Sequence, residues 1–209
     1  MTESPRTPEI AVLARAPIPG RAKTRLIPRL GPAGAARLQA ALIDRAVETA
    51  LAAGLGPVTL WCTPDARQPA FAKVAAGGRV RLGEQRGADL GARMAHAVAE
   101  HAARGPVLVI GTDSPALTAA HLGSAAAALA GGDDAVLLPA EDGGYVLIGL
   151  ATPHPALFEG LPWGSDGVMQ ATRERLAALG LRWSEPATLW DVDRPEDVDR
   201  LVSSGLLDW

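Results

Sequence analysis

The stretch Val107-Leu108-Val109-Ile110 constrains this chain most. It is apolar without a break, with Gly105-Pro106 before it and Gly111-Thr112-Asp113-Ser114-Pro115 after it. A strand with one wet face alternates polar and apolar residues; an unbroken apolar run predicts a central parallel strand covered on both faces. Parallel neighbours need long crossovers, usually helical, and the flanks supply them. Helical spacing predicts helices over about Pro32–Ala53, Asp89–Ala103 and Ala119–Ala130, with a weak one over Gln68–Ala75. Strands are predicted at Ile10–Ala14, Val58–Cys62 and Arg79–Leu82. The rhythm changes after Gly131-Gly132. Ala135–Pro139 and Tyr145–Leu150 follow as consecutive strands, then an irregular stretch over Pro153–Trp163 and a helix over Asp166–Leu179. Short strands at Leu181–Ser184 and Leu189–Val192 precede a last helix over Pro195–Val202. The expectation is a three-layer, Rossmann-like α/β fold with a mixed, mainly parallel sheet flanked by helices.

With 209 residues and no repeat or linker, one domain is expected over 9–209, behind a flexible tail at 1–8. No apolar run is long enough to span a bilayer, and the polar first residues lack a signal-peptide core, so the chain is expected in the cytoplasm. A net charge of -3 gives no general case for nucleic-acid binding. The single Cys62 excludes an intrachain disulfide and a cysteine-cluster metal site; its apolar neighbours predict an inert buried thiol. The histidines 96, 101, 121 and 154 fall in no ligand spacing, and Ser114 lacks the Gly-x-Ser-x-Gly elbow of a nucleophile.

Ligands of open α/β sheets gather beyond the carboxyl ends of the strands, and three features fall there. After the first strand comes Arg15-Ala16-Pro17-Ile18-Pro19-Gly20-Arg21-Ala22-Lys23-Thr24-Arg25, with no acidic residue. So strong a local excess in a mildly acidic chain asks for an anion. Cations and backbone N–H groups predict a phosphate grip on Arg15, Pro19, Gly20, Arg21, Lys23 and Arg25, the alternative being a solvated basic turn. Among 20 basic residues only Lys23 and Lys73 are lysines, so Lys23 points to a need for a compact ammonium here, the alternative being chance. The loop is neither a Walker A loop nor a dinucleotide fingerprint. Second, Asp113 ends the most buried strand, where a carboxylate needs solvent, a partner or a metal. Third, Asp191-Val192-Asp193-Arg194-Pro195-Glu196 offers Asp193 as a further carboxylate or as the cap of a helix opening Asp-x-x-Glu. Asp191 is read as facing away from Asp193. Mg²⁺ or Mn²⁺ is expected on Asp113 and Asp193, since a hard cation beside phosphates needs few protein carboxylates. Asp142, Gly143, Gly144, Trp163 and Asp166 are candidates for the acceptor. The glycine pair permits close backbone approach; Ser165 or Asp166 is otherwise a helix cap.

In this order the basic loop, Gly-Thr-Asp-Ser-Pro, Asp-Gly-Gly-Tyr, Pro-Trp-Gly-Ser-Asp and Asp-Val-Asp-Arg-Pro-Glu-Asp resemble the radical-SAM/selenodomain-associated transferases. These belong to the GT-A-type nucleotide-diphospho-sugar transferase superfamily, and the resemblance runs from about residue 9 to 202. Lys23-Thr24-Arg25-Leu26 is also similar to phospholactate guanylyltransferase. Asp113-Ser114-Pro115 resembles the metal aspartate of molybdenum-cofactor guanylyltransferases, and Asp193 the C-terminal metal aspartate of sugar nucleotidyltransferases. The chain departs from them in two ways. Leu13-Ala14-Arg15-Ala16-Pro17 replaces the usual Leu-Ala-Ala-Gly-x-Gly, and no Asp-x-Asp stands at residue 113.

The resemblance implies a GT-A-type transferase, monomeric or homodimeric, using an NTP or nucleotide sugar and a small-molecule acceptor, with no nucleic-acid partner. Nucleotidyl transfer to a phosphorylated acceptor is expected first. Catalysis would rest on Lys23, Arg25 and Asp113, with pyrophosphate leaving. Losing Lys23 is expected to lower turnover with little loss of stability. Sugar transfer from an NDP-sugar is the alternative, with Asp142 or Asp166 acting on the acceptor. A nucleotide-binding regulator without turnover is the third reading.

Overall fold

The computed structural model describes residues 7–209. Most of the tail expected at 1–8 lies outside them. Pro8, however, is buried, and its carbonyl accepts from Gly56 N at 2.9 Å, so the last residue of that expected tail is packed against the domain.

The elements run β1 (Glu9–Arg15), α1 (Ile27–Ala52), β2 (Val58–Thr63), α2 (Pro69–Ala75), β3 (Val80–Glu84), α3 (Leu90–His101) and β4 (Val107–Ile110). Next come α4 (Ala119–Ala130), β5 (Ala135–Pro139), β6 (Tyr145–Leu150), α5 (Val168–Ala178), β7 (Trp183–Ser184) and α6 (Pro195–Ser204). One sheet of 7 strands forms in the order β3-β2-β1-β4-β6-β5-β7. Pairing is parallel except where β6 meets β4 and β5. The apolar run from Val107 sits mid-sheet, every residue buried, as its lack of alternation predicts.

Helices cover both faces. One layer joins β-strand residues such as Ile10, Val12 and Leu60 to Ile43, Val47, Leu122 and Ala125. The other joins Ala11, Trp61 and Val109 to Met94, Val98, Met169 and Leu176. A smaller apolar cluster holds α6 against α1 through Leu38, Leu42, Val198 and Leu201, with Trp190 and Val192 packed among them. This cluster fixes the segment before α6 at the top of the sheet.

Three local expectations change. Residues 189–192 form no strand; Leu189 makes an isolated bridge with Ala140, and burial of Val192 rather than a ladder orders the segment. The cap of α6 is not Asp193. Asp197 accepts from the N–H groups of Arg194 (2.7 Å) and Asp193 (3.0 Å), which leaves the Asp193 carboxylate for other work. Helix α5 has neither Ser165 nor Asp166 as its cap; it starts after Gly167, and Ser165 Oγ instead accepts from Gly167 N and donates to Pro162 O.

Candidate active site

A cleft opens over the carboxyl ends of β1 and β4 and has two adjoining lobes. The larger, about 960 Å³, is walled by Met94, Tyr145, Trp163 and Trp190 with Asp142, Asp166, Glu196 and Arg200. The smaller, about 530 Å³, is walled by Arg15, Arg21, Lys23, Gln39, Thr63, Gln85 and Arg93. Arg25, Asp113, Asp191, Asp193, Tyr145 and Leu90 belong to both, so a seam of carboxylates separates a basic lobe from a larger one.

The topology explains the convergence. Strand β1 delivers the basic loop and β4 delivers Asp113. Because β6 runs antiparallel, the β5–β6 turn with Asp142 also lies at this edge. Residues 190–193 arrive on the apolar cluster between α1 and α6.

Lys23 is placed differently from the expectation of a free phosphate grip. It has a left-handed backbone (φ 47°), the only non-glycine residue with positive φ among the described residues. Its side chain is 4% exposed; Nζ donates to Val192 O at 2.5 Å and pairs with Asp113 Oδ1 at 3.0 Å. Lys23 therefore ties the basic loop, the end of β4 and the segment before α6 together. Arg25 is likewise engaged, its guanidinium donating to Asp193. The loop's cations thus touch the carboxylates directly, where the sequence places them across a phosphate from each other. Arg15 and Arg21 line the basic lobe exposed to solvent. Pro19 and Gly20 are exposed and line neither lobe.

Asp191 is the residue the sequence reading misplaced. In an extended segment, positions two apart share a face. Val192 turns into the core with no exposed surface, so Asp191 and Asp193 both turn to the cleft. Burial, with the negative charge of Asp142, Asp113 and Asp193, raises the Asp191 carboxyl to about 6 against a partial counter-effect of Lys23. The period of two was the signal available to find it.

That field bears on a metal. Among the described residues no group of three His, Cys, Asp or Glu side chains converges tightly enough to hold one alone. An oxygen-only set gathered at the mouth of the cleft nevertheless suits a hard cation that takes its remaining ligands from phosphate and water. Asp113 and Asp193 are the residues that would hold it.

On the larger lobe, Gly143 and Gly144 divide. Gly144 lines the cleft, but Gly143 does not: a Cβ there would lie 2.1 Å from Asp166 O, and Gly143 O accepts from Met169 N at 2.8 Å. Its close approach is to its own chain, not to a ligand. Trp163 stands edge-on to Tyr145, with ring centroids 6.3 Å apart, and backs onto Gly91, where a Cβ would come within 2.4 Å of the indole nitrogen. Arg200 forks onto Glu141 and lies 4.5 Å over the Trp190 ring. These contacts, none marked by a motif, stiffen the lobe's wall. Away from the cleft, Cys62 is buried as expected, and desolvation with the charge of Glu84 pushes its thiol up to about 12, which disfavours the reactive thiolate.

Solved structures share this architecture. A proposed nucleotide-diphospho-sugar transferase from Desulfovibrio desulfuricans G20 is 30% identical over 96% of this chain and 88% of its own, with a TM-score of 0.86. CMP:2-keto-3-deoxy-manno-octonic acid synthetase complexed with CTP, 13% identical over 95% of this chain and 98% of its own, has a TM-score of 0.62. Glucosyl-3-phosphoglycerate synthase from Mycobacterium tuberculosis, in complex with Mn²⁺, UDP and glucosyl-3-phosphoglycerate, is 12% identical over 96% of this chain and 77% of its own, with a TM-score of 0.57. No curated protein matches the chain. The fold is therefore that of the GT-A-type nucleotidyl- and glycosyltransferases, as the sequence resemblance implies. Residues 46–165, more than half of the chain, match the family described as "Uncharacterized protein conserved in bacteria (DUF2064)", and the chain belongs to that family.

Proposed function

We propose that this protein is a divalent-metal-dependent glycosyltransferase, with a nucleotide diphospho-sugar in the basic lobe and the acceptor in the larger one. The observation that carries this reading is how the loop's cations are spent. Lys23 and Arg25 are paired with Asp113 and Asp193, so Arg15 and Arg21 remain for the ligand. A cation on Asp113 and Asp193 with two arginines suits a diphosphate. A triphosphate asks for a further grip on its pyrophosphate half, which leaves in the reaction. The description of the Desulfovibrio relative points the same way.

In the transfer, the acceptor's hydroxyl oxygen bonds to the anomeric carbon. The bond from that carbon to the phosphate oxygen breaks, and its electron pair leaves on the nucleoside diphosphate. The hydroxyl proton passes to Asp142 or Asp166 at the lobe's edge. Asp113 and Asp193 would hold the metal, which would supply positive charge against that gathering on the leaving diphosphate. Arg15 and Arg21 assist it, while Lys23 and Arg25 hold the carboxylates in place.

Nucleotidyl transfer from an NTP has one observation in its favour, since Arg93 also lines the basic lobe and adds a cation. Product analysis separates the two reactions. Incubation with UDP- or GDP-sugars and Mn²⁺ or Mg²⁺ is expected to release the nucleoside diphosphate, with release lost in Asp113→Asn. Pyrophosphate released from an NTP instead would overturn the glycosyl reading. Metal-independent nucleotide binding without turnover would leave a regulator.

A further inference from the structure

From the larger lobe we infer the chemical class of the acceptor: a neutral, polyhydroxylated molecule that carries no phosphate or carboxylate. This rests on the reading above, in which that lobe is the acceptor's.

The charges of the lobe decide it. Its walls carry Glu141, Asp142, Asp166, Glu196 and Asp197 beyond the seam, against Arg194 and Arg200. Arg200 is spent on Glu141, which leaves Arg194 as the one cation beyond the seam without a carboxylate partner among the described residues. Asp197 is turned onto the backbone N–H groups at the start of α6. Among the described residues Asp142, Asp166 and Glu196 have no cationic partner. A phosphorylated acceptor, the one expected from the sequence, would enter where carboxylates without a cationic partner outnumber the one free arginine, and like charges repel it even through solvent screening. Hydroxyl groups meet the opposite reception, because ionised carboxylates accept hydrogen bonds and donate none.

A second observation separates a polyol from an amine. Tyr145 lines both lobes, and the partner of its hydroxyl among the described residues is Met94 Sδ at 3.9 Å, a weak acceptor that leaves the group free to donate to a ligand. Burial pushes that phenol upward, so it stays protonated as a donor. An ammonium cannot accept from it, whereas a hydroxyl can donate to the carboxylates and accept from Tyr145 at once. The walls of Tyr145, Trp163 and Met94 present apolar surface suited to the C–H faces of a sugar ring.

The experiment pairs acceptors on the same donor. Nucleoside diphosphate release from an NDP-sugar is followed with free monosaccharides and polyols, with the phosphate ester of each, and with the matching amino sugars. Slow hydrolysis of the donor alone, or a metal-dependent thermal shift with it, reports the donor reading separately. Neutral acceptors are expected to stimulate release at least about ten-fold more than their phosphate esters. Glu196→Lys, by reversing one unpaired charge, is expected to narrow that preference. A donor that binds or hydrolyses while only phosphate esters or amines stimulate release would overturn the acceptor class and leave the glycosyl reading standing. A donor that neither binds nor hydrolyses would overturn both.

Discussion

At the scale of single residues, Lys23 changes role most between sequence and structure. A lysine in a basic loop reads as a phosphate ligand, and its removal as a loss of turnover with little cost in stability. Burial reverses the second half. In Lys23→Met the side-chain volume is kept, but Val192 O loses its donor and Asp113 its partner. Breaking a fully buried ion pair costs roughly 3–5 kcal/mol. Asp113 is 48% exposed, so about 1–2 kcal/mol is expected here. Urea denaturation checks this, and a variant as stable as the parent would return Lys23 to the ligand. The neighbouring miss has a different cause. Asp191 was legible from residue alternation in an extended segment, yet only the burial of Val192 shows which face looks into the cleft.

At the scale of elements, contacts between segments decide what each motif does. The Asp142-Gly143-Gly144 turn is visible in the sequence as a flexible pair of glycines. The sequence does not show that Gly143 is pressed against the start of α5. Gly143 has φ 91°, and a Cβ there would meet the backbone of Asp166. Gly143→Ala is therefore expected to cost about 2–3 kcal/mol, through overpacking and backbone strain together. Sugar-donor affinity should survive, because the basic lobe is untouched; a thermal melt with and without donor measures both. The opposite end of the sheet carries its own prediction. Glu9 on β1 and His101 on α3 meet at 2.5 Å inside the protein, with Trp61 donating to His101 Nε2 and Arg104 to Glu9. Because Nε2 accepts, the histidine is neutral with its proton on Nδ1, facing Glu9. Burial lowers the His101 pKa from 6.5 despite the attraction of Glu9. Burial raises that of Glu9, but its hydrogen bonds from His101 and Arg104 outweigh this and leave it lowered. Both groups bind protons less readily folded than unfolded, so stability falls on acidification. The loss starts as pH drops below 6.5, the ordinary histidine value, and deepens below 4.5, that of a glutamate. Urea titrations at pH 7.5 and 5.5 are expected to show it, with a smaller difference in His101→Gln.

At the scale of the whole molecule, the fold was largely legible and the cleft only in part. Continuous apolar runs such as Val107–Ile110 announce buried parallel strands, and the change of rhythm after Gly132 announces the mixed end of the sheet. Strand order is not local information, so the insertion of β6 between β4 and β5 was not readable from periodicity. Nor was the pairing of basic loop with acidic seam, which joins Lys23 to Asp113 and Arg25 to Asp193, the second pair 168 positions apart. The cleft as a unit predicts that a sugar donor and Mn²⁺ stabilise the protein together more than either alone. Differential scanning fluorimetry tests this, and strictly additive shifts would count against a shared site.

The reversed direction of β6 has a consequence for how such a protein can diversify. It brings a hairpin tip to the working edge of a sheet whose other contributions there come from crossover loops. The tip at 140–144 and the span at 163–166 wall the larger lobe, proposed above for the acceptor, whereas the loop after β1 walls the basic lobe proposed for the donor. Tip and span touch through Gly143 and Asp166, while the strands beneath keep their register. Exchange of those two segments together between relatives should retarget the enzyme to new acceptors while its choice of nucleotide is inherited unchanged.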